Sequence, residues 1–265
     1  TSRLMKAMIF AAGLGTRFKP WTDEHPKALA LINGKSLLER NILYLQQSGI
    51  FEVMVNVHHF AEQVIDAIVT NDGWGSKITI SEEIDEVLET GGGLKKAAWF
   101  LSGGLFALMN ADILTDLKLD SMISFHKRHA PLATLAVTNR ASSRYFLFDG
   151  EDQLRGWRNV KTGEERLVGN ATQDYNPEYD KEYIEGRDLI TEKPSSLLNE
   201  KAFSGIHILS PEIFPLMKQQ GKFSIVEVYL ELAASHRILG FDHSGSRLVD
   251  VGRQEAVAVA ETLFP

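Results

Sequence analysis

The first half of the chain alternates short apolar runs with segments whose apolar residues recur at helical spacing. The continuous apolar run Ala7–Phe10 predicts a strand buried on both faces, and further strands are predicted at Glu52–Val57, Lys77–Ser81 and Leu105–Met109. The intervening segments predict three helices. The first begins at the capping box Ser36–Glu39 and ends at Gly49, and the others span Ala61–Val69 and Gly93–Phe100. Such alternation implies right-handed βαβ units, and therefore an α/β fold with a mostly parallel sheet flanked by helices.

The pattern becomes more mixed after Asp120. Turn residues Asp149 and Gly150 separate two alternating runs and predict a hairpin of Tyr145–Phe148 and Gln153–Trp157. Further strands are predicted at Leu132–Val137, Phe203–Leu209, Arg237–Phe241 and Arg247–Val249, and further helices at Ser121–His129, Pro211–Met217, Ile225–Ser235 and Arg253–Leu263. Residues 161–196 are polar and weakly periodic, which predicts a long loop, an insertion or a lid.

The first strand leads directly into a loop of small residues. This loop is Ala11-Ala12-Gly13-Leu14-Gly15-Thr16-Arg17, and Lys27 follows it. Glycines let the backbone approach a ligand closely and leave N–H groups free for an anion, while Arg17 and Lys27 can bind phosphate oxygens. A P-loop is excluded because no Gly-Lys-Ser/Thr follows, and a dinucleotide fingerprint is excluded because Phe18 replaces its third glycine. The segment predicts a site for a nucleoside triphosphate, the alternative being a βα turn without a ligand.

Two aspartates follow predicted strands. Asp112 comes just after the run Leu105–Met109, and Asp250 comes just after Arg247–Val249. Ligands of open α/β sheets lie beyond the carboxyl ends of the strands, so Asp112 should share an edge with the glycine loop. Mg²⁺ takes one or two carboxylates together with phosphate oxygens, which makes Asp112 a candidate metal ligand. The alternatives are that Asp112 caps a turn and that Asp250 caps the last helix.

A second glycine-rich segment is Leu88-Glu89-Thr90-Gly91-Gly92-Gly93. Consecutive glycines let a backbone lie against a flat or bulky ligand, and the helix predicted after them would offer N–H groups to an anion. Glu89 could accept hydrogen bonds from sugar hydroxyls. We predict a ligand-binding loop here, the alternative being a flexible loop.

Composition excludes several other classes of function. The net charge of −7 leaves no basic surface for nucleic acid. The absence of cysteine excludes disulfides, thiolate zinc sites and cysteine nucleophiles. No apolar run reaches the roughly 20 residues of a membrane span, and the start lacks the layout of a signal peptide. We therefore expect a cytoplasmic protein that binds neither nucleic acid nor membrane.

The loop Ala11–Arg17 with Pro26-Lys27 resembles the signature of sugar-phosphate nucleotidylyltransferases. Four further segments narrow the resemblance to bacterial N-acetylmuramate-1-phosphate uridylyltransferases and their mannose-1-phosphate guanylyltransferase-like relatives. These segments are Leu88–Gly93, Asn110-Ala111-Asp112, Phe203-Ser204-Gly205-Ile206 and Val249-Asp250-Val251-Gly252. The resemblance runs from about Lys6 to Leu263 and weakens between Arg140 and Glu200.

The resemblance implies a Rossmann-like, GT-A-like nucleotide-diphospho-sugar transferase fold with a small β-containing lobe on the sugar side. A single domain is expected over residues 5–265, with the nucleotide-binding core in 5–140 and the sugar-side lobe and C-terminal helices in 141–265. The resemblance also implies a reaction in which a nucleoside triphosphate and a sugar 1-phosphate give an NDP-sugar and pyrophosphate. UTP with N-acetylmuramate 1-phosphate is the first expectation. GTP with mannose or heptose 1-phosphate is the second, and a catalytically silent sugar-nucleotide sensor is the third.

The resemblance assigns roles to individual residues. Catalysis is expected from Arg17, Lys27, Asp112 and Asp250, with Mg²⁺ on the two aspartates. Nucleotide binding is expected from Ala11, Ala12, Gly13, Gly15, Thr16, Arg17, Lys27, Gly91 and Asn110. Sugar binding is expected from Glu89, Thr90, Gly92, Gly205 and Lys193. Lys193 lies in Glu192-Lys193-Pro194, whose spacing is similar to that of a sugar-phosphate lysine in glucose-1-phosphate thymidylyltransferases, the alternative being an exposed loop lysine. The oligomeric state stays open.

Overall fold

The computed structural model describes residues 5–169 and 198–265. Its strands are β1 Lys6–Phe10, β2 Leu31–Ile32, β3 Lys35–Ser36, β4 Glu52–Val57, β5 Lys77–Glu82, β6 Phe106–Asn110, β7 Ile113–Thr115, β8 Ala133–Thr138, β9 Arg144–Phe148, β10 Leu154–Asn159, β11 Glu164–Leu167, β12 Asn199–Leu209, β13 Ile238–Asp242 and β14 Leu248–Asp250. Its α-helices are α1 Leu37–Gln46, α2 Ala61–Thr70, α3 Glu89–Lys96, α4 Ala98–Leu101, α5 Leu119–His129, α6 Ile213–Leu216, α7 Ile225–Leu232 and α8 Ala256–Leu263.

The central sheet is mixed and mostly parallel, as the alternating pattern predicts. Strands β5, β4, β1 and β6 lie side by side and parallel, with β1 in the middle. Strand β12 adds to β6 in the antiparallel sense and β8 follows it, while β13 pairs with β8 in parallel. The ends of β1 and β6 therefore lie at the same edge of the sheet, which places the glycine loop beside Asp112.

Both faces of this sheet are covered, which explains why β1 is apolar from Ala7 to Phe10. Met8 packs with residues of α3, α4 and α7 on one face. Its neighbours Ala7 and Ile9 pack with residues of α1, α2 and α5 on the other. All three side chains are fully buried. A strand covered on two sides reads as a continuous apolar run because neither face meets water.

Strands β9, β10 and β11 form the antiparallel extension in which the small β-containing lobe was expected. The predicted hairpin is confirmed, with β9 and β10 antiparallel around Asp149 and Gly150. Strand β12 joins this extension to the main sheet, since its first residues pair with β9 and its last with β6. The register of β12 against β8 shifts between Phe203 and His207, around Gly205 at φ 72°.

One strand lies where a loop was predicted. Strand β11 pairs with β10, placing Leu167 opposite Gly156. The residues that alternate between the two faces of β11 are charged. Glu164 and Arg166 are exposed, whereas Glu165 between them forms an ion pair with Arg158 at 2.6 Å. A search for apolar alternation misses such a strand. Residues 170–196 of the predicted loop, with Lys193, lie outside the described residues. No helix within the described ranges is long and apolar enough to cross a membrane.

Candidate active site

The glycine loop is shaped by two glycines with different functions. Gly15 adopts φ +62°, and a Cβ atom there would lie 2.8 Å from the Thr22 methyl group, so only glycine fits. The Thr22 hydroxyl donates to the Gly15 carbonyl at 2.9 Å and fixes this turn. At Gly13 no neighbouring atom lies within 4 Å of the place that a Cβ atom would take, so the lack of a side chain leaves open space for a ligand. The short turn from Thr16 then exposes Arg17.

Lys27 and Asp112 meet at the edge of the sheet. Asp112 directly follows β6, and Lys27 begins the short helical turn after Pro26. The Lys27 ammonium group donates to the Asp112 carboxylate, and both side chains are largely buried. The predicted phosphate-binding cation and the predicted metal ligand are therefore direct neighbours.

Asp250 is brought to the same place by a small two-stranded sheet that the sequence pattern does not reveal. Strand β14 pairs with β7 in the antiparallel sense, so Asp250 lies opposite Ile113. The N–H group of Val251 donates to the Asp112 carbonyl at 2.8 Å. A Cβ atom at Gly252 would lie 2.8 Å from Asp250 Oδ1 and 3.1 Å from Arg17 Nη2, so glycine gives these two side chains room.

The electrostatics of the site confirm that these groups lie close together. Desolvation by the surrounding protein, followed by the charge of Asp112, raises the pKa of the Asp250 carboxyl group. The charges of Lys27, Arg17 and Arg140 act in the opposite direction but do not cancel the shift. Solvent still reaches Asp250 through a cleft. The site thus holds two carboxylates that repel each other, surrounded by cations.

Two clefts open on either side of this cluster. The first has a volume of about 380 Å³ and lies between the glycine loop and the start of α3. Its walls include the predicted site residues Ala11, Ala12, Gly13, Lys27, Glu89, Thr90, Asn110 and Asp112. The second has a volume of about 690 Å³, lies against the β9–β10 hairpin, and is lined by Arg17 and Asp250. Asp112 lines the first cleft and Asp250 lines the second, and the two carboxylates are close enough for the charge of Asp112 to raise the pKa of Asp250.

The second glycine-rich segment is a helix, so the predicted loop was wrong. Glu89 to Gly93 form the first turns of α3, and the predicted helix Gly93–Phe100 is divided into α3 and α4. The N–H groups of Gly91 and Gly92 donate to the Phe223 carbonyl at 2.9 and 3.2 Å. A Cβ atom at Gly91 would lie 2.4 Å from the Phe223 ring, and one at Gly92 would lie 2.3 Å from the Gly221 carbonyl. The glycines allow α3 to pack closely on the segment before α7.

This packing buries two glycines of the segment and leaves its first two helical residues facing the first cleft. Gly91 and Gly92 are buried and do not line the first cleft, so the structure gives no support to their predicted ligand contacts. Glu89 and Thr90 do line it. The Thr90 hydroxyl also accepts a hydrogen bond from the Ile225 N–H group at 3.0 Å, which connects α3 to α7.

Gly205 supports the wall of the first cleft that carries Asn110. Its φ of +72° and its position in the irregular part of β12 bring the backbone against Asn110, where a Cβ atom would lie 2.7 Å from Asn110 Nδ2. Asn110 lines the first cleft, so Gly205 acts on that cleft by giving the Asn110 side chain its space.

A buried hydrogen-bond network joins two walls of the first cleft, and sequence reasoning missed its central residue, Asn56. The Ala11 N–H group donates to Asn56 Oδ1, and Asn56 Nδ2 donates to Glu83 Oε1, each at 2.8 Å. Glu83 Oε2 accepts from the Leu88 N–H group at 2.8 Å. The available signal was a polar residue at a buried position of strand β4. The network fixes the glycine loop relative to the start of α3.

The donor set at Asp112 and Asp250 suits a hard divalent cation. Within the described ranges no group of three or more His, Cys, Asp or Glu side chains could hold a metal. A cation here would take two protein carboxylates and complete its coordination with ligand oxygens and water, which is the usual arrangement for Mg²⁺. It would also relieve the repulsion that raises the Asp250 pKa.

Comparisons with known proteins agree with this geometry. Residues 6–151, more than half of the chain, match the nucleotidyl transferase family. The N-acetylmuramate alpha-1-phosphate uridylyltransferase of Caulobacter vibrioides is 30% identical over 257 residues, covering 96% of this chain and 95% of that protein. Probable mannose-1-phosphate guanylyltransferase 1 of Oryza sativa subsp. japonica is 28% identical over 237 residues, covering 88% of this chain and 57% of that protein.

A solved structure shows the same fold. HddC from Yersinia pseudotuberculosis, complexed with GMP-PN, superposes with a TM-score of 0.71 at 20% identity, covering 98% of this chain and 100% of that chain. The expected nucleotide-diphospho-sugar transferase fold is therefore confirmed. Since the family match covers more than half of the sequence and the Caulobacter relative matches along nearly its whole length, the chain belongs to the nucleotidyl transferase family.

Proposed function

We propose that this enzyme transfers a uridylyl group from UTP to N-acetylmuramate 1-phosphate, giving UDP-N-acetylmuramate and pyrophosphate. The observation that carries nucleotidyl transfer is that Lys27 and Asp112 of the first cleft lie near Arg17 and Asp250 of the second, as the shifted pKa of Asp250 shows. A reaction between two phosphorylated substrates needs one site for each and a charged junction between them. The base and the sugar are proposed from the Caulobacter relative, which this chain matches over nearly its entire length.

The chemistry is an in-line displacement at the α-phosphorus. An oxygen of the sugar 1-phosphate forms the new bond to phosphorus, and the bond to the β-phosphate oxygen breaks, so that pyrophosphate leaves with its electron pair. No protein nucleophile is required. The protein contributes by positioning the substrates and by stabilising negative charge.

The four charged residues have separate tasks in this proposal. Lys27, held by Asp112 in the first cleft, approaches the triphosphate. Arg17, exposed beside Asp250, binds phosphate oxygens at the junction and lowers the charge on the leaving pyrophosphate. Asp112 and Asp250 would hold Mg²⁺, which supplies Lewis-acid stabilisation of the phosphate oxygens when bound. The Asn56–Glu83 network keeps the glycine loop in position for these contacts.

The nucleoside part of UTP fits the first cleft. That cleft combines apolar side chains such as Phe10 and Val87 with the polar groups of Asn110 and Thr90, a composition typical of nucleoside sites. As a consumer of UTP that makes an activated cell-wall sugar, the enzyme would act in the cytoplasm.

A second candidate is guanylyl transfer from GTP to mannose 1-phosphate. It is favoured by the rice relative, although this chain spans only 57% of that protein. The two candidates share the charged junction and differ in the base and in the sugar. N-acetylmuramate carries a carboxylate on its lactyl ether, whereas mannose is neutral outside its phosphate.

The deciding experiment measures pyrophosphate release with Mg²⁺ over a grid of nucleoside triphosphates and sugar 1-phosphates. We expect release with UTP and N-acetylmuramate 1-phosphate, and no release from the folded Asp112→Asn variant. Release with GTP and mannose or heptose 1-phosphate alone would replace the first candidate by the second. No release in any combination, with nucleotide binding intact, would indicate an acceptor outside the grid or a sensor.

A further inference from the structure

The second cleft is strongly cationic in a protein of net negative charge. Its walls carry Arg17, Arg140, Arg144, Lys161 and Arg253, and Asp250 is the one carboxylate among the described residues that line it. The whole chain has a net charge of −7. Such a cluster attracts an anionic ligand.

Basic residues of the surrounding strands divide into two groups according to whether they face this cleft. Outside the cleft, Arg155 pairs with Asp149, Arg158 with Glu165 and Glu200, Arg166 with Glu164, and Lys201 with Asp242. Arg140, Arg144 and Lys161 line the cleft and form no ion pair with any residue of the described ranges. Among these basic residues, the ones without a carboxylate partner are those that line the cleft.

Arg140 lies near Asp250, since its charge acts to lower the pKa of Asp250, and its guanidinium donates to the Phe203 carbonyl at 2.8 Å. Arg144 and Lys161 are not among the charges that shift that pKa, and their part of the cleft is called its outer end. Arg144 lies opposite Asn159 in the β9–β10 register, and Lys161 follows two residues after Asn159. One phosphate group beside Asp250 accounts for Arg17 and Arg140 but leaves Arg144, Lys161 and Arg253 without a ligand.

We propose that Arg144 and Lys161 bind a second acidic group of the acceptor, a carboxylate, and so select an acidic sugar phosphate over a neutral one. This proposal rests on the proposed function for the position of the acceptor phosphate. The guanidinium of Arg144 can bind both carboxylate oxygens, and the ammonium group of Lys161 adds a second charge. The lactyl carboxylate of N-acetylmuramate 1-phosphate is a group of this chemistry.

The test compares two acceptors that differ in this carboxylate. N-acetylglucosamine 1-phosphate has the ring, acetamide and phosphate of N-acetylmuramate 1-phosphate but lacks the lactyl ether. Both are assayed with UTP and Mg²⁺ in the wild-type protein, in Arg144→Ala, in Lys161→Ala and in the double variant. Arg155→Ala is the matched control, because it removes a positive charge from the same hairpin outside the cleft, where Asp149 holds it at 2.6 Å.

We expect the wild-type protein to have the higher kcat/KM with the acidic acceptor. Each single variant should reduce that preference about tenfold through a higher KM for the acidic acceptor. Activity with the neutral acceptor should stay unchanged, and Arg155→Ala should keep the wild-type preference. An equal loss for both acceptors would show a structural role, and an unchanged preference would show no role. Either outcome overturns the proposal.

Calorimetric binding of the two acceptors separates this proposal from the proposed function. Tighter binding of the acidic acceptor that is lost in the double variant, without pyrophosphate release from any UTP mixture, would retain the carboxylate site and reject the proposed reaction. Pyrophosphate release together with equal binding of the two acceptors would retain the reaction and reject the carboxylate site.

Discussion

Asp250 occupies a position that disfavours its own charge. Protein atoms reduce its hydration, and the neighbouring Asp112 carboxylate raises its pKa further. Like charges at short distance are destabilising, so the proposed role of Asp250 as a ligand for a cation predicts that its removal costs activity and not stability.

Replacement of Asp250 by Asn should separate activity from stability. The amide has the same size but no charge, so the repulsion from Asp112 disappears and the melting temperature should stay equal or rise. Turnover should fall at least about a hundredfold, because a charge that stabilises the transferring phosphate is lost. Pyrophosphate release and thermal unfolding, measured on the same preparation, check both parts. A variant with wild-type turnover would remove Asp250 from the catalytic site.

At the scale of elements, helix α3 shows how close packing can produce an unusual composition. Its consecutive glycines lower the intrinsic helix propensity, by about 1 kcal/mol each relative to alanine. They are retained because the Phe223 ring and the Gly221 carbonyl occupy the space that side chains would need. Helix α3 carries Glu89 and Thr90 into the first cleft, and the hydrogen bond from Ile225 to Thr90 holds this end of α3 against α7.

Alanine at position 91 should destabilise the protein even though alanine favours a helix. Its Cβ atom would lie 2.4 Å from the Phe223 ring and 2.8 Å from the Phe223 carbonyl, so α3 or α7 must move. Overpacking of this kind costs about 1–3 kcal/mol. The control is Gly104→Ala, since nothing lies within 4 Å of the added atom. Urea denaturation should show a loss for Gly91→Ala and little change for the control; equal curves would contradict the packing argument.

The elements predictable from sequence are those whose own residues carry the signal. Strand β1 is apolar after Lys6 because both its faces are covered, and α1 is capped by Ser36, whose hydroxyl accepts from the Glu39 N–H group at 3.0 Å. The first half of helix α3 escaped prediction because its composition reflects contacts with residues 221–223, more than a hundred positions away. Local patterns contain no information about such contacts.

The residues of the site were likewise predictable only where the local sequence carries the signal. The glycine loop, Lys27 and Asp112 follow from local pattern and from the shared edge of the sheet. The approach of Asp250 to Asp112 depends on the pairing of two three-residue strands, β7 and β14, which no periodicity can reveal over so short a length. That proximity was implied by the family resemblance and is explained by the β7–β14 register. The cations at the outer end of the second cleft were not predicted, because they lie where the resemblance weakens.

At the scale of the whole molecule, two buried histidines make the free energy of unfolding depend on pH. His126 hydrogen bonds with Thr134 and Ser210 beneath the sheet, and burial lowers its pKa to about 4. His207 hydrogen bonds with the Tyr229 hydroxyl, and burial lowers its pKa to about 3. Both rings are therefore neutral in the folded protein at pH 5, whereas an unfolded chain protonates histidine near pH 6.5.

Stability should therefore fall as the pH is lowered from 7.5 to 5.0. Below pH 6.5 the unfolded state binds protons that the folded state cannot accept, so each of the two histidines lowers the free energy of unfolding by about 2 kcal/mol at pH 5. Urea denaturation at several pH values measures this slope. His126→Gln or His207→Gln should each reduce the slope by about one histidine's share, whatever its effect at pH 7.5. His59→Gln, at an exposed position, is the control for the substitution itself. If all variants kept the wild-type slope, acid sensitivity would come from other groups.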